Sequence, residues 1–187
     1  MTREPPIKLY VFDADGTLRR TTVPGQPCPN KPGEWELIPG VRERLAQIDW
    51  TRAGFGVASN QGGVGTGYMS QEAAYQLLFD MAAAALGSAP PAGSIEMCPH
   101  APYLNCPCRK PKPLMLRRLM RRFRTTKGET LFVGDMERDK EAARRAGVRF
   151  LWAHEFFGWE RPDAGEARAV AVCDFPDGDA AGGGADR

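Results

Sequence analysis

Four apolar residues, Leu9-Tyr10-Val11-Phe12, run without a break into Asp13-Ala14-Asp15-Gly16-Thr17, and that junction limits what the chain can fold into. An apolar run this short, stopping at acidic residues and a glycine, is a buried strand whose carboxyl end opens into a tight turn. In open parallel α/β sheets, ligands bind at that end of the strands. Two carboxylates on alternate residues destabilise such an edge unless they bind something, and the glycine lets backbone approach a ligand. Taken alone, the Asp-x-Asp pair also fits two solvated aspartates in a strand-end turn.

The rest of the chain alternates in the same sense. Strands are predicted at Leu9–Phe12, Phe55–Ala58, Ser94–Met97, Leu131–Val133 and Val148–Trp152, with helices near Val41–Ile48, Gln71–Leu86, Leu114–Phe123 and Lys140–Ala146. Ser70 is placed to cap the second helix, and Gly87 and Gly147 stand where helices end in a left-handed residue. Alternation of this kind implies right-handed crossovers and an α/β fold: one Rossmann-like, doubly wound parallel sheet with helices on both faces. A chain of 187 residues suits one core. The expected domain is 1–161. Periodicity is lost in an extension over 162–187, whose Gly-, Ala- and Asp-rich end reads as disordered.

Charge and hydropathy remove several function classes. A net charge of +2 gives no electrostatic case for nucleic acid or membrane. No apolar run approaches the roughly 20 residues of a membrane span. The arginines at 117, 118, 121, 122 and 124 surround Met115, Leu119, Met120 and Phe123 as the solvated face of an amphipathic helix. The expectation is a cytoplasmic monomer with reduced thiols, so clustered cysteines point to metal before disulfide. Cys28 and Cys173 fall in no motif and read as plain core or surface residues.

Three further segments join the first. Phe55-Gly56-Val57-Ala58 leads into Ser59-Asn60-Gln61; Cys108-Arg109-Lys110-Pro111 puts a lysine just before a helix; and Leu131-Phe132-Val133 leads into Gly134-Asp135, with Asp139 four residues on. A carboxylate, a hydroxyl with an amide, a lysine and a second carboxylate can together hold a phosphoryl group and a divalent cation. In order and type these four segments resemble the haloacid dehalogenase-like phosphatase superfamily, over about residues 7 to 153. SNQGGVGTGY and the CPH…CPCRKP segment are similar to its branch of heptose bisphosphate and histidinol phosphatases.

The resemblance implies Asp13 as nucleophile and Asp15 as general acid/base, a distinction the residues alone do not make. It implies Mg²⁺ on the Asp13 carboxylate, the Asp15 main-chain carbonyl and Asp135. Ser59, Asn60 and Lys110 would bind the phosphoryl oxygens, with Arg109 placed for a second anionic group on the substrate. Read singly, Ser59 and Asn60 are ordinary turn residues and Lys110 a surface lysine. Asp139 fits the metal shell and a helix cap equally. The glycines from Gly62 to Gly67 make a pliable loop that could be a connector or could close over substrate.

Cys98-Pro99-His100 and Cys106-Pro107-Cys108 form two short pairs separated by five residues. Three thiolates and one imidazole make a closed tetrahedral Zn²⁺ shell of the structural type. The same ligand types recur in this order in the resembling phosphatases, although the loop between the pairs is shorter here than in the heptose enzymes. Two buried cysteines and a turn histidine are the plainer alternative.

About 44 residues separate Asp15 from Ser59 and about 51 separate Ser59 from Lys110, which leaves no room for a large cap domain. Specificity must then come from loops such as Arg19–Pro39 and the cysteine loop. The expected substrate is a small sugar phosphate, first a heptose 1,7-bisphosphate and second histidinol phosphate. Gly25–Trp35, leading into Glu34-Trp35-Glu36-Leu37, is similar to the phosphatase half of polynucleotide kinase/phosphatases, so a polynucleotide 3′-phosphatase is a third reading, and the cysteine cluster opposes it. A zinc-stabilised binding module without catalysis is the rival from another class, and intact Asp13, Asp15, Lys110 and Asp135 oppose that.

Overall fold

The apolar run Leu9–Phe12 forms strand β1, at the centre of a five-stranded sheet in the computed structural model, which describes residues 5–26 and 28–160. A short hairpin follows, β2 (Arg19–Thr21) with β3 (Trp35–Leu37), and then helix α1 (Val41–Leu45). Next come β4 (Gly54–Asn60), α2 (Gly62–Gly65), α3 (Gln71–Leu86) and β5 (Ile95–Cys98). The chain continues through α4 (Leu114–Phe123), β6 (Thr130–Gly134), α5 (Glu137–Ala146), β7 (Arg149–Trp152) and α6 (Ala153–Phe157). The sheet order is β5-β4-β1-β6-β7, and every neighbouring pair is parallel. The chain steps outward from β1 on one side and returns to its other side, so the carboxyl end of β1 lies where strand order reverses.

Period-two alternation assigns the faces. Leu9 and Val11 of β1 join an apolar cluster with Met115, Leu116 and Leu119 of α4 and Ala142, Ala143 and Ala146 of α5. Phe12 turns the other way, against Val41 and Leu45 of α1, Leu78, Met81 and Ala82 of α3 and Phe156 of α6. Strand β4 divides likewise: Phe55 and Val57 face α3, while Ala58 faces α4. The two clusters are the two sides of the sheet, as the expected fold class requires. Among the described residues no helix is long and apolar enough to cross a membrane.

Local signals account for most boundaries. Ser70 Oγ accepts the Ala73 N–H at 3.1 Å and starts α3, and Gly87, with φ +73°, ends it. The α5 helix begins three residues before the expected Lys140, because Asp139 caps it from inside the first turn by accepting the Met136 N–H at 3.0 Å. The segment Arg19–Pro39, read from sequence as a loop, contains the β2/β3 hairpin. Three-residue strands among prolines and glycines show no periodicity to read. Glu34 organises the connection: its Oε2 accepts from Gln26 Nε2, Asn30 N and Lys31 N at 2.8–3.1 Å. Cys28 is buried, as a core residue would be, but it is disulfide-bonded, a pairing that its reading as a plain core or surface residue did not include. Cys173 and the expected extension 162–187 lie outside the described residues.

Gly65 ends α2 against the cysteine loop. A Cβ there would lie 2.2 Å from Ala101 N and 2.9 Å from Pro99 O, both main-chain atoms. Helix propensity favours Gly65→Ala by about 1 kcal/mol, whereas forced overlap in a packed site costs about 1–3 kcal/mol. The overlap is with backbone that cannot swing away, so Gly65→Ala is expected to lower the melting temperature. A thermal melt that rises would show that α2 and the loop are not in close contact.

Candidate functional site

The pleat that sorts the core also sorts the polar groups at the sheet's carboxyl edge. Asp13 continues the Leu9–Val11 side, the side covered by α4 and α5. From those elements come Lys110, which stands just before α4, and Asp139 of α5. Lys110 Nζ is 2.7 Å from Asp13 Oδ1 and 2.7 Å from Asp139 Oδ1, and all three side chains are buried. The Ala14 N–H also donates to Asp13 Oδ1 at 2.7 Å. Asp139 therefore caps α5 with one oxygen, one of the two roles the sequence left open, and holds Lys110 with the other.

Asn60 lies on the same side as Asp13. Its Oδ1 accepts the Lys110 N–H at 2.9 Å and its Nδ2 donates to the Lys110 carbonyl at 3.2 Å. The amide thereby clamps the Lys110 main chain, and the second Nδ2 hydrogen remains to donate elsewhere. Ser59, one residue earlier, faces the opposite side, where its Oγ accepts from Gln61 Nε2 at 2.8 Å and keeps its own proton to donate.

Asp15 sits within a tight turn. Gly16 makes that turn at φ +83°, and a Cβ there would lie 2.3 Å from Asp135 Oδ2, so a side chain is excluded twice over. The Asp15 carboxylate is held by Arg19 Nε at 2.7 Å and Gln61 Nε2 at 3.1 Å. Asp135 follows β6 and accepts the Thr17 hydroxyl at 3.1 Å.

Asp13, Asp135 and Asp139 each offer an oxygen within 4.8 Å of the others. Burial raises the Asp13 carboxyl to about 6, with Lys110 opposing the rise and Asp139 adding to it. Burial, then the charges of Asp13 and Asp139, pushes Asp135 well above the carboxylate range. For Lys110 burial favours the neutral amine, yet Asp13 and Asp139 outweigh it and its pKa is raised. Three clustered acids against one lysine leave an excess of negative charge, which a divalent cation with oxygen ligands fits.

The second cluster is equally compact. Cys98 Sγ lies 3.5 Å from Cys106 Sγ and 3.6 Å from His100 Nδ1. Cys108 Sγ lies 3.2 Å from that nitrogen and 3.7 Å from Cys106 Sγ. Ligands on a tetrahedron with 2.3 Å metal–sulfur bonds are separated by about 3.5–3.8 Å, so the donors already stand near the corners of a zinc shell. Burial pushes the Cys98 thiol up to about 12 and raises Cys108. Cys106 is lowered against its own burial, with the Arg109 N–H the leading contact. Arg109 Nη1 donates to the His100 carbonyl at 3.3 Å and so ties the cluster to the residue before Lys110.

The structure thus gathers Asp13, Asp15, Ser59, Asn60, Lys110, Asp135 and Asp139 at one edge, with Arg109 between that edge and the cysteine cluster. Sequence reasoning gave no role to Arg19, Thr17, Gln61 or Arg138. The Arg138 charge is close enough to favour ionised Asp13 and to oppose the charges on Lys110 and Arg109. Arg19 carried one legible signal, its position four residues after Asp15 across a glycine turn.

Residues 107–167 match the family described as HAD-hydrolase-like. The chain is 41% identical over 142 residues to a D-glycero-beta-D-manno-heptose-1,7-bisphosphate 7-phosphatase of Pseudomonas aeruginosa, covering 73% of this chain and 75% of that protein. It is 30% identical over 156 residues to the histidine biosynthesis bifunctional protein HisB of Legionella pneumophila, covering 82% of this chain but 43% of that protein. Among solved structures, it is similar to a D,D-heptose 1,7-bisphosphate phosphatase of B. bronchiseptica complexed with magnesium and phosphate. That match has a TM-score of 0.66 at 30% identity and covers 77% of this chain and 79% of the other.

The Asn60 clamp gives a stability test. Asn60→Ala leaves the buried Lys110 N–H and carbonyl without their partner, and each such group costs about 1–3 kcal/mol. Chemical denaturation is expected to show a loss of about 2 kcal/mol or more. A variant as stable as the parent would remove the clamp from the account.

Proposed function

The chain belongs to the haloacid dehalogenase-like phosphatases, and from that premise we propose that it hydrolyses a small sugar bisphosphate, first D-glycero-D-manno-heptose 1,7-bisphosphate, through an aspartyl-phosphate. The observation that carries the reading is the buried Asp13 carboxylate at the end of β1, 2.7 Å from Lys110 and grouped with Asp135 and Asp139. In the first step an Asp13 oxygen attacks phosphorus in line. The bond to the leaving alkoxide breaks, and Asp15 donates its proton to that oxygen. In the second step water attacks the aspartyl-phosphate, Asp15 takes the water's proton, and the Asp13–phosphorus bond breaks to release phosphate. Lys110 and the Ser59 hydroxyl supply charge-assisted contacts to the transferring oxygens.

Asp13, Asp135 and the Asp15 main-chain carbonyl would hold Mg²⁺. The ion neutralises the charge that otherwise keeps a carboxylate from a phosphate dianion. Cys98, His100, Cys106 and Cys108 would hold a structural Zn²⁺ that fixes the loop leading to Arg109 and Lys110. Histidinol phosphate is the second reading, favoured by the likeness to HisB over most of this chain.

Phosphate release with Mg²⁺ from the heptose bisphosphate, histidinol phosphate and a 3′-phosphorylated oligonucleotide tests the substrate. The bisphosphate is expected to be preferred. Arg109→Ala should then raise KM more than it lowers kcat, since that contact is present in ground and transition states alike. Preference for the oligonucleotide, falling steeply with salt, would overturn the sugar-phosphate reading. Asp13→Asn should abolish turnover in a folded protein, and near-parental phosphate release would exclude the covalent route.

Metal analysis tests the second cluster. Protein purified without added metal is expected to carry about one zinc per chain, and Cys106→Ser or Cys108→Ser to lose it together with thermal stability. Absence of zinc, with a melting curve unchanged by chelation, would remove the structural metal.

A further inference from the structure

Arg19 is a fully buried arginine at the edge of a polar site, and nothing in the mechanism above uses it. A guanidinium cannot shed its charge, so burying one demands close partners for its donors. Three donors are matched. Nε is 2.7 Å from Asp15 Oδ1, Nη2 is 3.4 Å from Asp15 Oδ2, and Nη1 is 3.1 Å from the Leu77 carbonyl inside α3. The fork therefore lies side-on to the Asp15 carboxylate, and its remaining arm is pinned to a rigid helix.

The main chain is bent to bring this about. The Ala14 carbonyl accepts from Leu18 N at 2.8 Å and Arg19 N at 3.0 Å, and Gly16 N donates back to the Arg19 carbonyl at 2.9 Å. Leu18 is buried in the α3-side core and Arg19 begins β2, so the reversal is fastened at both ends. Gln61 Nε2 bridges Asp15 Oδ2 and Ser59 Oγ, which supports the carboxylate from the second motif.

We propose that Arg19 is a positioning residue for proton transfer: it fixes the orientation of the Asp15 carboxylate against α3, so that Asp15 meets the leaving oxygen in the first step and the water in the second. The inference rests on the phosphatase reading and on Asp15 as its acid/base. Arg19 has no exposed surface and touches no substrate, so its removal should leave affinity alone. Its effect should follow how much a leaving group needs a proton. An alkoxide needs one, whereas a nitrophenolate departs without it, although water attack on the aspartyl-phosphate still needs the base.

The experiment compares Arg19→Met and Arg19→Lys with the parent protein in Mg²⁺, using an alkyl phosphate and p-nitrophenyl phosphate, with melting curves for each. Arg19→Met keeps much of the side-chain volume and removes the fork; Arg19→Lys keeps the charge with one donor centre and should fold if the first does not. Expected for the alkyl ester is a fall in kcat of about 10²-fold with KM within about twofold, and partial recovery in Arg19→Lys. With p-nitrophenyl phosphate, the first turnover should slow by less than about threefold, followed by a slow steady state that appears as a burst of nitrophenolate. Equal losses on both esters without a burst, a rise in KM that accounts for the loss, or undiminished kcat in both variants would overturn the assignment. Failure of the parent itself to release phosphate from any ester would instead overturn the phosphatase reading.

Discussion

The Lys110 ammonium, 2.7 Å from both Asp13 and Asp139 and shielded from water, is the contact on which the rest of the site depends. It joins three elements that meet nowhere else in sequence: the end of β1, the first turn of α5 and the segment before α4. Removing one partner from a buried ion pair costs about 3–5 kcal/mol, because the remaining charge has no water to receive it. Here the imbalance is larger than a pair, since Asp135 adds a third carboxylate to the same group. Such a cluster is poorly suited to stabilising a fold and well suited to binding a cation beside an anionic substrate.

Lysine carries its charge on a flexible stem, so its main chain must be held if the ammonium is to stay in place. Two devices hold it. Asn60 takes both the N–H and the carbonyl of Lys110. Two residues earlier, Cys108 is buried in the apolar cluster shared with α4 and stands within 3.7 Å of Cys106. The cysteine cluster thus fixes the approach to Lys110, and Arg109 links the cluster to it through the His100 carbonyl. A metal at those four donors would strengthen a loop too short to form a core of its own.

How much of this was legible follows from what each residue depends on. The five strands of the main sheet and the capped helix α3 were readable because apolar runs and caps are local signals; Ser70 and Gly87 act where the sequence places them. The meeting of Asp13 with Lys110 and Asp135 was readable through the family resemblance, since no spacing within the chain encodes a contact across 97 or 122 positions. The hairpin β2/β3 was not readable, because its strands are three residues long and its connection is ordered by Glu34 side-chain bonds. The hold of Asn60 on the Lys110 main chain was not readable either, because the motif presents Ser59 and Asn60 as one pair of donors. Strand alternation sends the two to opposite faces, and that is decided by the register of β4, which the motif does not show.

That alternation divides the site in two. On the α4/α5 face stand Asp13, Asn60, Lys110 and Asp139: the lysine, its two carboxylate partners and the amide that holds its main chain. On the α3 face stand Ser59, Gln61, Asp15 and Arg19, the chain of contacts that ends on the Leu77 carbonyl. The two halves join at the turn through Gly16, where Thr17 reaches across to Asp135. Each half is anchored to a different helix layer and a different apolar cluster. On the proposed assignment of Asp13 as nucleophile and Asp15 as acid/base, a change in α3 or the hairpin would therefore act on proton transfer while Asp13 and Lys110 stay fixed by α4 and α5. Holding Asp15 from one layer and Asp13 from the other lets a small sheet edge keep both in place with residues from opposite sides of a single strand end.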